Sequence, residues 1–181
     1  TTRKLFVDFR YVEQARQTAP EFETVKCKAN PLDAAVEYLR EQDFPQIGFE
    51  AEDLTVADFR RITSMVAENH WIPAIIDSLR AVKSADELAK IETAARILDQ
   101  AFAKILPQIR PGIAEHSLAA ILEYEMRQLG SERTGFATIV ASGPRSALPH
   151  GVAADRLLAT GDLVVFDFGA VYDGYHSDMT R

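Results

Sequence analysis

The chain has 181 residues, of which 47% are hydrophobic and 26% charged, the composition of a globular protein with room for one large domain or two small ones. A formal net charge of -7 argues against nucleic acid as the main partner, because phosphate recognition needs a surplus of Lys and Arg. No secretory signal is visible in these residues and no apolar run nears the ~20 residues that cross a bilayer, and the one cysteine, Cys27, has no internal disulfide partner. The expectation is a cytoplasmic protein with no membrane partner.

Residues 1 to about 76 alternate strand and helix patterns. Lys4–Val7 reads as a strand, Tyr11–Thr18 as a helix and Phe22–Cys27 as a second strand that holds Cys27 as a small core residue. Asn30-Pro31 is an N-cap followed by proline at the first helical position, which opens a helix to about Gln42. Gln46–Phe49 is a short strand, and Thr55–Asn69 a helix with Val56, Phe59, Ile62 and Val66 on one face. Trp71–Ile75 closes the series as a last strand. Such alternation predicts a layered α/β domain, a sheet flanked by helices. The chain opens on Thr1 rather than Met and enters almost at once as a strand, so a trimmed front edge is expected.

The pattern changes near Asp77–Lys83. Ser84 followed three residues later by Glu87 is a capping box. Behind it, Leu88, Ile91, Ala95, Leu98, Phe102 and Ile105 make an apolar stripe at helical spacing, which predicts packing rather than a coiled-coil seam. Pro107 and Pro111-Gly112 end that helix. A second amphipathic helix carries Leu118, Ile121, Leu122, Met126 and Leu129, with Gly130 as its C-cap, and strands follow. The expected division is a first domain over 1–78, a linker over 79–83 and a second domain over 84–181.

Leu163–Phe168 is an apolar run with one carboxylate, Asp167, inside it, and it reads as a buried strand. Asp173-Gly174 signals a hairpin turn, so Asp167 and Asp178 belong to neighbouring antiparallel strands. Their positions differ by an odd number, and a hairpin with an even loop therefore puts both on one face. A turn centred on Tyr172-Asp173 sets them directly opposite; one centred on Asp173-Gly174 sets Asp167 against Thr180, with Asp178 diagonal. Either way their β-carbons lie within roughly 5 to 8 Å. Like charges that close are costly, and a divalent cation removes the cost. The plainer alternative is a turn cap, or an ion pair with Arg181. His150 lies in the turn-rich loop around Leu148-Pro149-His150-Gly151, where an imidazole can donate to a substrate carbonyl oxygen.

Taken together, Ala141-Ser142-Gly143-Pro144-Arg145-Ser146-Ala147-Leu148-Pro149-His150-Gly151, Gly161-Asp162, Asp167-Phe168-Gly169 and Gly174-Tyr175-His176-Ser177-Asp178-Met179-Thr180-Arg181 resemble the pita-bread metallopeptidases, and among them the Xaa-Pro aminopeptidases and prolidases. The resemblance covers nearly the whole chain. It implies a creatinase-like N-terminal α/β domain with a mixed sheet, then the front part of an α+β pita-bread catalytic domain. It also implies a hydrolase that uses two divalent metals, manganese or cobalt with zinc as a third choice, to cleave before a proline at the second position of a peptide. Asp167 and Asp178 match metal-ligand aspartates, and His150 matches a histidine near the scissile bond. His176 is expected beside the site rather than in it.

The family completes its site with a later histidine and two glutamates that have no match here, so the resemblance implies a piece of an enzyme, inactive by itself and unstable without the remainder. A homodimer is a further implication. The competing function is a non-catalytic pita-bread module that binds peptides or proteins, which retention of Asp167, Asp178 and His150 disfavours. A creatinase-like hydrolase that works without metal does not need the aspartate pair. A methionine aminopeptidase fits the separate front domain poorly.

Overall fold

The computed structural model describes residues 2–42, 44–67, 70–74 and 76–181, and the chain divides after Ala81 into two compact units. The first unit runs β1 (Lys4–Val7), α1 (Val12–Thr18), β2 (Glu23–Lys26), α2 (Pro31–Glu41), β3 (Ile47–Phe49), α3 (Val56–Met65), β4 (Trp71–Pro73) and α4 (Asp77–Ala81). Strands β1 and β2 pair in parallel, Lys4 against Glu23 through Val7 against Lys26, and β3 pairs in parallel with β4. A helix crosses over within each pair, as parallel pairing requires.

Local chemistry sets the helix starts. Asn30 Oδ1 accepts from the Leu32 N–H at 2.8 Å while Pro31 occupies the first helical position. Thr55 Oγ1 accepts from the Asp58 N–H at 3.1 Å to start α3. The core gathers Val36, Ile47, Ile62 and Trp71, with Leu39, Phe49 and Phe59 against it.

Two parts of the expected α3 face do not hold. Val56 is 67% exposed, because six residues at about 100° each carry it some 120° round the helix from buried Ile62. Val66 is the extended C-cap, beyond the last helical turn. Asn69 and Ile75, the expected ends of a helix and a strand, lie outside the described residues.

In the second unit, α5 (Ala85–Ile105) starts with both halves of the capping box: Ser84 Oγ accepts from the Glu87 N–H at 3.3 Å, and Glu87 Oε2 accepts from the Ser84 N–H at 2.6 Å. A 3-10 turn at Leu106–Gln108 contains Pro107, and α6 (Glu115–Gln128) follows. Strands β5 (Ile139–Ser142), β6 (Val164–Phe168) and β9 (Met179–Thr180) form an antiparallel sheet in the order β5-β6-β9, and β7 (Val171–Tyr172) pairs with β8 (Tyr175–His176) as a hairpin.

The buried line of α5 is Ala94, Ile97, Leu98, Ala101 and Ile105; it keeps Leu98 and Ile105 of the expected stripe, with Phe102 against the same core, but the stripe's first member, Leu88, is 55% exposed. The first turns of α5 meet the hairpin through polar groups instead: Tyr175 Oη donates to Glu87 Oε1 at 2.9 Å, and Lys90 Nζ pairs with Asp173 at 2.6 Å. Farther along, Phe102 stands edge-on to Phe166, 5.4 Å between centroids, and stacks on Phe168 at 5.8 Å. With Leu98, Ile105, Leu118, Leu122 and Met126 these rings form the core between the helices and one face of the sheet. Such aromatic contacts add to the burial itself.

Candidate metal centre

Alternation along β6 separates core from site. Phe166 and Phe168 are buried toward the helices, so Val165 and Asp167 point to the opposite face. The expected strand start, Leu163, is 77% exposed and precedes the ladder: β6 begins at Val164, opposite Ser142. One sheet face is therefore left free for polar chemistry.

The turn decides between the two registers. Asp173 has φ 46° and Gly174 φ 77°, the two successive positive values of a type I′ turn, and Tyr172 faces Tyr175 across it. The same register carried back sets Asp167 opposite Thr180, with Asp178 on the diagonal. The Thr180 hydroxyl donates to Asp167 Oδ1 at 3.2 Å. Burial of its carboxyl, the Asp167 charge and a hydrogen bond with Asp167 all hold the Asp178 carboxyl above its ordinary range, although the residue as a whole remains open to solvent. Arg181 turns to Asp99 at 3.4 Å, so the ion-pair alternative is not realised.

Two oxygen donors that repel each other on an open sheet face fit a hard divalent cation, whose charge cancels the repulsion. They are two donors and no more: among the described residues, no group of three or more His, Cys, Asp or Glu side chains is gathered to hold a metal. His176 faces Val171 in the hairpin, and the Arg133 guanidinium lies 3.4 Å from its Nε2.

His150 is exposed in the loop after the 3-10 turn Gly143–Ala147. Two residues on, Val152 bridges to Ile139, which itself lies opposite Asp167. The loop backbone thus runs two strand spacings, roughly 10 Å, from the Asp167 backbone. The sheet brings all three expected residues to one region, with the carboxylates together and His150 across the strand from them.

Sequence reasoning missed what holds that loop. Glu115, the first residue of α6, is fully buried; its Oε1 accepts from the Ser142 N–H and hydroxyl, both at 2.7 Å, and its Oε2 from Arg145 Nε at 3.1 Å and the Ala154 N–H at 3.2 Å. Burial pushes its pKa up, but these hydrogen bonds outweigh it and keep the carboxyl below its ordinary range. Arg156 then clamps Asp162 with two bonds, at 2.6 and 3.1 Å, and also donates to the Ser142 hydroxyl. An acidic residue in a first helical turn ordinarily reads as a solvated partner of the helix dipole, so the sequence carried no sign of this burial.

Residues 89–181 match the model of metallopeptidase family M24, and residues 1–82 match the creatinase/prolidase N-terminal domain. A relative from Bacillus subtilis (strain 168), "Uncharacterized peptidase YqhT", is 39% identical over 96% of this chain and 50% of its own length. The "Xaa-Pro dipeptidase" of Pyrococcus furiosus is 47% identical over 65% of this chain and 34% of its own. Among solved structures, the Xaa-Pro dipeptidase from Bacillus anthracis superposes with a TM-score of 0.92 at 40% identity, covering 98% of this chain and 50% of that one. The X-Pro aminopeptidase from Thermotoga maritima MSB8 gives 0.89 at 40% identity, covering 100% of this chain and 52% of that one. The chain therefore spans half or less of the curated relatives named here.

Proposed function

Because the chain belongs to metallopeptidase family M24, we propose that it is the creatinase-type N-terminal domain and the front part of the pita-bread catalytic domain of a proline-specific peptidase, one that removes the N-terminal residue from peptides with proline in second position. The observation that carries this reading is the pair Asp167 and Asp178, presented on one sheet face by a register that the Asp173-Gly174 turn fixes. The names of the similar dipeptidases and aminopeptidase support the choice of substrate.

In this reading Asp167 and Asp178 hold divalent cations, with Thr180 orienting Asp167. When bound, the cations supply Lewis acidity and charge neutralisation at the scissile carbonyl. His150 donates a hydrogen bond to the substrate carbonyl oxygen from the loop on the other side of β5. Two carboxylates alone leave the coordination incomplete, so the 181 residues by themselves are inactive and the remaining donors come from further polypeptide.

The test is release of free proline from an Xaa-Pro dipeptide, with manganese or cobalt added, by the full-length enzyme and by the 181-residue chain. The expected result is turnover by the first and none by the second. Metal-dependent peptide binding without turnover by the full-length protein would replace the peptidase with a peptide-binding module.

A further inference from the structure

We propose that Glu115 is a positioning residue for the peptidase site, gripping both ends of the loop that carries His150. The inference rests on the reading of His150 given above. The loop leaves β5 at Ser142 and returns to the sheet edge at Val152. Glu115 binds it at both limits: one oxygen takes the Ser142 N–H and hydroxyl, the other takes the Ala154 N–H and Arg145 Nε. Arg145 reaches across the loop and donates to the Val152 carbonyl at 2.6 Å. Between these anchors the loop closes on itself through the Leu148 N–H to the Arg145 carbonyl and the Gly151 N–H to the Leu148 carbonyl. A fully buried carboxylate with four donors has one low-energy arrangement, and it fixes where His150 stands.

Glu115 touches neither substrate nor metal in this account. It acts through His150, so its loss should appear as loop motion and as a catalytic defect that vanishes when His150 is already gone. Glu115→Gln is the decisive variant, because its amide group presents N–H donors where Ala154 and Arg145 need an acceptor.

Measured on the full-length protein, Glu115→Gln should speed exchange of the Ser142, Leu148, Gly151 and Ala154 amide hydrogens about tenfold or more. It should lower kcat/KM on an Xaa-Pro dipeptide between about ten- and a hundredfold, since a small misplacement of an oriented group is that costly. Bound metal per chain should not change. Placed on His150→Ala, the same substitution should alter kcat/KM by no more than about twofold.

Unchanged amide exchange, unchanged kcat/KM, or a loss of equal size on the His150→Ala background each overturns the proposal. If Glu115→Gln fails to fold, Arg145→Gln, at the outer side of the cluster, provides the same readouts in smaller measure. A wild-type protein with no Xaa-Pro turnover sinks the peptidase reading, and the positioning role with it. Intact wild-type turnover with unchanged loop exchange sinks only the role of Glu115.

Discussion

Thr180 lies directly opposite Asp167 across β6 and β9, and its hydroxyl donates to Asp167 Oδ1 at 3.2 Å. The bond leaves one fewer direction in which that carboxylate can rotate. Partners of this kind around a metal ligand typically contribute ten- to a hundredfold in affinity. Thr180→Val should therefore weaken manganese binding by about tenfold, while Thr180→Ser retains it. Calorimetric titration of the metal-free full-length protein checks this, and equal affinities would remove Thr180 from the site.

Gly169 separates β6 from the hairpin at a point of close backbone approach. A Cβ there would stand 2.7 Å from the Ser177 carbonyl oxygen and 2.8 Å from the Phe136 ring. The Gly135 N–H already donates to the Gly169 carbonyl at 2.8 Å, so the backbone has little freedom to retreat. Gly169→Ala should cost about 1–3 kcal/mol by overpacking. A thermal melt within a degree of the wild type would refute it.

Phe168 is fully buried and stacks on Phe102. Phe168→Ala should destabilise the protein by about 3–5 kcal/mol, a cost seen where the surroundings collapse only partly. Because Phe168 follows Asp167 on the strand, the cavity should also loosen the carboxylate, so metal affinity should fall along with the denaturation midpoint.

Glu115 gives a pH prediction whose sign is fixed. Its folded carboxyl lies below the ordinary glutamate range, against the effect of burial, because Ser142, Ala154 and Arg145 favour the charged form. A depressed carboxyl contributes stability above its unfolded pKa, about 4.3, and loses it as pH falls through the folded value. The stability gap between wild type and Glu115→Gln should thus be constant from neutral pH down to about 5 and narrow below that. Denaturation midpoints measured across this range decide it; a gap that widens in acid contradicts the assignment.

Signals that act locally were legible in the sequence. Asn30, Thr55 and Ser84 start helices through their own side chains, and Asp173-Gly174 forms its turn from its own backbone preference. The shared face of Asp167 and Asp178 followed from counting residues across that turn. What needed tertiary context was not legible. Leu88 reads as the first member of a buried stripe, yet polar partners from the hairpin meet its end of the helix. Glu115 reads as a surface acid and is buried because four donors from distant sequence converge on it. Nothing in one helix announces donors supplied by residues 142–154.

The type I′ turn at Asp173-Gly174 has an evolutionary consequence. Side chains change face with every residue, so gaining or losing one residue between Asp167 and Asp178 would throw the second carboxylate onto the aromatic side of the sheet. Length change in this hairpin is therefore quantised: viable insertions and deletions come in twos, or singly only with a compensating bulge. Spacing between the aspartates should stay even-stepped across descendants in which the residues of the hairpin itself have drifted freely.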